Sequence, residues 1–194
     1  MTQPNITHEI KRNLLGGLEV ALFMRVARER FGNTKGEALR SFLIPVLFLP
    51  LTIFTLYMYP NTELPEQAAG IMALLYCLRM VAVWVFFFGI VYWITAEVDR
   101  KTYFYKFVIA SNWLSVPATV CFLPVLWMIA SGAYSWAELY PFMMCLMFYT
   151  YAFTAFMASY VLRIPWELAG FIVFISMCVN NSTLDMYYWV GSLL

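Results

Sequence analysis

One arginine stands inside an otherwise apolar stretch of the chain, and it is the strongest chemical signal in the sequence. Arg79 lies near the middle of residues 68–95. Placing an arginine there costs about 2.5–3.5 kcal/mol on membrane-insertion scales, so the side chain should face other helices and have a polar partner. A guanidinium can hold a carboxylate or a phosphate through paired hydrogen bonds.

The last apolar stretch supplies the candidate partners Asn180, Asn181 and Asp185. Asn181 and Asp185 are four residues apart and share a helix face. With a rise of about 1.5 Å per residue, Arg79 lies roughly 15 Å into its helix, and the asparagines of an antiparallel helix reach a similar depth. We predict an Arg79–Asp185 pair assisted by Asn180 or Asn181. It is either a clamp between two helices or an outward-opening site for an anionic ligand or phospholipid headgroup.

Small hydroxyl and amide side chains form a second candidate cluster, nearer the N-terminal side of the membrane. Its members are Ser111, Asn112, Ser115, Thr154 and Ser159. We expect Asn112 to form a hydrogen bond across helices. Thr150, Thr154 and Ala158 recur at every fourth position, which allows two helices to approach closely. The cluster is therefore either helix packing or part of a polar pathway.

The residue types that support common catalytic chemistry are missing from the apolar stretches. The single histidine, His8, lies outside them, which disfavours a histidine-ligated haem or metal in the bilayer. The sequence has no HExxH motif, no Gly-rich phosphate loop and no nucleophile elbow. We predict no catalytic residues, no metal, no cofactor and no nucleic-acid binding, so a non-enzymatic protein is expected.

Five apolar stretches hold these residues, at about 41–59, 68–95, 107–131, 137–162 and 164–189. Each comes close to or exceeds the ~20 residues that a membrane-spanning helix needs. The chain is 63% hydrophobic and 12% charged, whereas soluble domains are nearer half apolar and a quarter charged. The sequence predicts an all-α integral membrane protein, with a five-transmembrane-helix bundle in residues 41–194.

The basic residues alternate between the connections. Seven of the 12 Lys and Arg residues precede the first stretch. Arg100, Lys101 and Lys106 follow the second stretch, Arg163 follows the fourth, and residues 60–67 and 132–136 have none. By the positive-inside rule the N-terminus is cytoplasmic and the C-terminus lies on the other side, the periplasm of a bacterial inner membrane.

Residues 1–40 form a basic cytoplasmic segment that we expect to break at Gly16-Gly17. Beyond the break an apolar stripe recurs at helical spacing, at Val20, Phe23, Met24, Ala27 and Phe31. This pattern predicts a short amphipathic helix on the membrane surface. Arg25, Arg28, Arg30 and Lys35 would contact lipid headgroups or a soluble protein partner. Thr34 and Glu37 match a capping box at the start of the next helix.

Two short motifs carry a resemblance. Residues Gly36–Pro50, GEALRSFLIPVLFLP, and Val108–Trp113, VIASNW, resemble a group of uncharacterised small bacterial five-span inner-membrane proteins. The resemblance implies an inner-membrane location and no particular activity. In span number and orientation the chain also resembles the Yip family, whose members act through partners in membrane traffic or organisation.

Two functions follow as hypotheses. The first is an accessory or scaffold subunit that associates laterally with a larger membrane complex. The absence of catalytic motifs, the small extramembrane mass and the small-residue stripe favour it. The second is a small transporter, channel or lipid-handling protein that uses the Arg79 cluster, with a bound phospholipid as one form of its ligand.

Overall fold

The fold is that of a computed structural model, which describes residues 6–58 and 69–193, without the side chains of 56–58 and 69. The ends predicted at 59 and 68 lie outside these ranges. The helices are α1 (Ile6–Ala21), α2 (Ala27–Arg30), α3 (Lys35–Ser41), α4 (Leu43–Met58), α5 (Ala69–Glu97), α6 (Phe104–Ala130), α7 (Trp136–Leu162) and α8 (Trp166–Gly191). A 3-10 turn, Lys101–Tyr103, precedes α6.

Five helical stretches are long and apolar enough to cross a membrane, which confirms the all-α, five-span prediction. The last three predicted spans differ from α6, α7 and α8 by at most three residues at either end. The first span includes α3 as well as α4, because only Phe42 separates the two helices. The chain is a helical membrane protein.

The five long helices run alternately up and down. Helix α6 is central and packs against α1, α3, α4, α5 and α7, while α8 packs against α5 and α7. We call the end that carries α1–α3 and the connections 98–103 and 163–165 the N-terminal end. The far end carries the start of α7 and the end of α8.

The N-terminal segment is docked on the bundle. The prediction of a break at Gly16-Gly17 is wrong, since α1 runs through both glycines and ends at Ala21. A Cβ atom on Gly17 would come within 3.0 Å of the backbone oxygen of Trp113 in α6. These glycines therefore serve close helix packing. At its end, α1 is held by the Tyr149 hydroxyl of α7, which donates to the Ala21 carbonyl at 2.6 Å.

Three ion pairs hold α1, α2 and α3 together. Their members are Arg12–Glu37 at 3.2 Å, Arg30–Glu19 at 2.9 Å and Arg40–Glu9 at 2.7 Å. The Thr34 cap is confirmed, because its hydroxyl accepts the Glu37 backbone N–H at 3.2 Å. The Glu37 carboxylate pairs with Arg12. Three of the seven basic residues of this segment are thus paired internally.

Packing is dense at the N-terminal end. One buried cluster joins α1, α2 and α3 to α5, α6, α7 and α8 around side chains such as Phe107, Phe153 and Met157. The buried cluster described toward the far end is smaller and centres on Met72, Tyr76 and Tyr187 of α5 and α8. The far half of the bundle therefore leaves room between its helices.

Replacing Gly17 with Val should lower the free energy of unfolding by about 1–3 kcal/mol, because the added methyl groups meet the rigid α6 backbone. Thermal unfolding in mild detergent measures this. Gly170→Val is the matched control, since no atom lies within 4 Å of a Cβ built there. Equal losses in the two variants would contradict the close approach of α1 to α6.

Candidate polar site at the far end of the bundle

Arg79 and Asn180 join α5 to α8. Arg79 Nη2 donates to the side-chain oxygen of Asn180 at 2.7 Å and to its backbone oxygen at 2.9 Å. The guanidinium carbon lies 5.2 Å from the ring centroid of Tyr76, one helical turn away. Arg79 is 93% buried, with 7% of its surface exposed. The prediction that Arg79 meets polar groups of the last span is confirmed for Asn180.

The predicted Arg79–Asp185 ion pair is wrong. No salt bridge joins them, and both Asp185 and Asn181 are exposed. The helical angle explains the difference, since each residue turns a helix by about 100°. Asn180, Leu184 and Tyr187 fall on the face toward α5, whereas Asn181 and Asp185 are rotated away from it by roughly 100–140°. The predicted depth of the Arg79 partner along α8 was correct, but the predicted face of α8 was wrong.

The other edge of the Arg79 guanidinium has the Tyr76 hydroxyl nearby but no carboxylate among the described residues. Nε is buried and has no hydrogen-bond partner in the described part of the chain. Nη1 reaches only the thioether sulfur of Met80, at 3.9 Å. A guanidinium has five N–H donors, so Asn180 satisfies one side of the group and leaves the other side free for an anion.

A cavity of about 480 Å³ adjoins Arg79 at the far end. Four helices contribute to its wall: Thr52 and Thr55 from α4, Tyr76 and Arg79 from α5, Trp136 from α7, and Asn180, Leu184 and Tyr188 from α8. The Thr52 and Thr55 hydroxyls each donate to a backbone carbonyl of α4, at 3.0 and 2.7 Å, so their oxygens remain able to accept. Arg79 is the cationic side chain of this wall.

A second cavity of about 380 Å³ shares part of that wall. Thr52, Thr55 and Trp136 line both cavities. The remaining lining of the second cavity comes from α4, α6 and α7 and is almost entirely apolar, with Leu51, Phe122 and Leu126 as examples. A polar space with a buried cation and an apolar space between helices thus lie side by side at these three residues.

The second polar cluster is mainly helix packing. Asn112 Nδ2 donates to the Ser41 hydroxyl at 2.8 Å, and both residues are buried, which confirms the predicted bond across helices. Ser115 and Thr154 donate to carbonyls of their own helices. Ser159 donates to the Ile164 carbonyl just beyond α7. Ser111 is half-buried, and its side chain forms no hydrogen bond within the described part of the chain. These groups do not converge on one another.

The four basic residues assigned to partners or headgroups have different surroundings. Arg30 pairs with Glu19, whose hydrogen bonds and charge raise the pKa of the guanidinium. Arg25 and Arg28 lie over the rings of Tyr160 and Tyr103, at 5.5 and 5.9 Å. Lys35 is exposed at the start of α3. Partner or headgroup contact remains a prediction for these residues.

Sequence reasoning missed part of the far-end site. Thr52 and Thr55, three residues apart in the first span, were the available signal for α4, and Tyr76 lies one turn before Arg79. Trp136 of the cavity wall was missed as well. It stands at the start of α7, which Ser135 and Glu138 cap reciprocally. Comparison with protein-family models, with curated proteins and with solved structures gives no match.

Asn180→Ala should destabilise the protein by about 1.5–3 kcal/mol, because it removes the side-chain acceptor of a buried charged donor. Asp185→Asn and Asn181→Ala should change the unfolding free energy by less than about 0.5 kcal/mol, as exposed sites do. Thermal unfolding of the three variants in detergent tests this. A larger loss for Asp185→Asn than for Asn180→Ala would restore the original ion pair.

Ser41→Ala and Asn112→Ala should be coupled by about 0.6–1.7 kcal/mol, the range measured for hydrogen bonds between membrane helices. A double-mutant cycle on thermal or denaturant unfolding gives this quantity. Thr154→Ala replaces Ser41→Ala in the control cycle, because its hydroxyl bonds within α7. Zero coupling between Ser41 and Asn112 would show that their contact contributes nothing.

Proposed function

We propose that this protein is a lipid-handling membrane protein that binds one anionic amphiphile at the far end of its bundle. Arg79 binds the carboxylate or phosphate, and the apolar chain lies in the adjoining cavity between α4, α6 and α7. The observation that carries the proposal is the half-satisfied guanidinium of Arg79, buried beside a cavity of about 480 Å³.

Charge supports an anionic ligand. A buried guanidinium that keeps its charge inside apolar helices is expensive unless a counter-charge or a full set of acceptors offsets it. Among the described residues, the neutral oxygens of Asn180 and Tyr76 are near the guanidinium, and no carboxylate lies within salt-bridge distance. An anionic headgroup supplies the missing acceptors.

Shape supports an amphiphile over a small polar anion. The two cavities share Thr52, Thr55 and Trp136, so an almost entirely apolar space lies beside a ligand seated at Arg79. Ligand sites are commonly apolar with a few polar groups that set orientation. Here a single cation would orient the headgroup, and the helices would bind the chain.

The orientation that suits this function has the N-terminal end in the cytoplasm of a bacterial cell and the far end toward the periplasm. The charge distribution favours this orientation. The ligand would then enter from the outer leaflet of the inner membrane. Association with a larger complex as an accessory subunit remains a separate prediction.

Arg79→Gln should reduce stabilisation by anionic amphiphiles, because glutamine keeps polar atoms at the position without the charge. Thermal midpoints are measured in neutral detergent with added fatty acid, phosphatidylglycerol or a neutral lipid of equal chain length. Wild type and the exposed-site control Asp185→Asn should be stabilised by the two anionic lipids alone. Equal stabilisation of Arg79→Gln, or of wild type by the neutral lipid, would contradict the proposal.

A further inference from the structure

Three segments that are distant in sequence bring cations together around Tyr103 at the N-terminal end. The guanidinium carbons of Arg28 in α2 and Arg163 after α7 lie 5.9 and 4.9 Å from the ring centroid of Tyr103. Lys106 Nζ, on the first turns of α6, lies 3.4 Å from the Arg28 carbonyl, to which it donates. Arg100 Nε donates to the Arg163 carbonyl at 3.2 Å, and this bond holds the connection 163–165 in place.

These cations lack the carboxylates that satisfy their neighbours. Arg12, Arg30 and Arg40 each have a glutamate partner at this end. Arg28, Lys106 and Arg163 have none among the described residues. Glu29, next to Arg28 in sequence, lines a neighbouring surface with His8 and Lys11; its charge acts on Lys106, but it forms no salt bridge with these three cations. Like charges repel when they are gathered, and a bound anion removes that repulsion.

The backbone at Arg163 is held in a conformation that suits glycine. Its φ is 57° in the left-handed region, at the C-terminal cap of α7. Glycine is the usual residue at such a cap because it has no Cβ to clash. An arginine here is disfavoured by the backbone, and strained positions of this kind cluster at ligand sites.

The cluster lies at the depth of lipid headgroups. Arg163 belongs to a connection of three residues between α7 and α8, two helices that are long and apolar enough to span the membrane. A connection this short keeps its side chains close to the end of the apolar layer. Tyr103, Tyr160 and Trp166 surround it, and such aromatic residues are enriched at the membrane–water interface.

We propose that Arg28, Lys106 and Arg163 bind the phosphate of one anionic phospholipid beside the ring of Tyr103. This site is separate from the Arg79 cavity and lies at the opposite end of the bundle. Cations placed near a membrane surface attract anionic lipid, and arginines match the oxygen geometry of a phosphate. Arg25, over Tyr160, extends the same basic surface.

The test is a titration of phosphatidylglycerol into the full chain in neutral detergent, read by native mass spectrometry. It is done for the wild type and in an Arg79→Gln background, so that binding at the far end does not contribute. Arg28→Gln and Arg163→Gly should each weaken binding about fivefold, the value expected for one cation near a lipid surface. Lys11→Gln, which replaces an exposed cation of α1 at the same end, should change it less than twofold.

Arg163→Gly guards against loss by misfolding, because glycine relieves the positive φ and should leave thermal stability unchanged or higher. Binding by Arg163→Gly and Arg28→Gln equal to that of Lys11→Gln would overturn the proposal. Two competition arms settle the source of the anion. Displacement by inorganic phosphate at equal concentration would assign a soluble phosphate ligand, and displacement by a glutamate-rich peptide would assign an acidic protein segment. Either result would overturn the lipid assignment.

Discussion

The charge of Arg79 is the constraint on which the far half of the bundle depends. A guanidinium between apolar helices needs oxygen acceptors on all sides, since its burial is otherwise costly. Asn180 meets part of that need, because its side-chain and backbone oxygens both accept from Arg79 Nη2. These two bonds join α5 to α8. Arg79 is therefore a structural clamp at one edge of its guanidinium and the proposed anion site at the other edge. The two roles considered for the sequence are compatible.

The N-terminal end of the bundle is densely packed, whereas the far end contains cavities between its helices. At the N-terminal end, α1–α3 close the core, and ion pairs with Glu9, Glu19 and Glu37 fix the added helices. At the far end, two cavities that share Thr52, Thr55 and Trp136 lie between α4 and the other helices. Dense packing at one end can keep a bundle folded while the other end holds a ligand. The proposed lipid phosphate at Arg163 lies on the packed end, where it would also neutralise clustered charge.

Hydropathy was sufficient to predict the spans, because ~20 apolar residues can satisfy their backbone in a membrane only as helices. The depth of Arg79 relative to Asn180 also followed from a constant rise per residue. The face of α8 that lies toward α5 could not be predicted, because the rotation of a nearly all-apolar helix depends on its packing against neighbours. Asp185 was chosen as the partner for its charge. Gly16-Gly17 misled for a related reason. In isolation two glycines weaken a helix, but here close contact with Phe31 and with the Trp113 backbone offsets that weakness. The convergence of Arg28, Tyr103 and Arg163 joins residues far apart in sequence, so no local pattern could show it.

Native mass spectrometry of the protein extracted from its own membrane tests the central claim most directly. The account predicts that Arg79→Gln retains one anionic amphiphile fewer than the wild type and Asp185→Asn do. An equal number of retained amphiphiles on Arg79→Gln and on the wild type would contradict it.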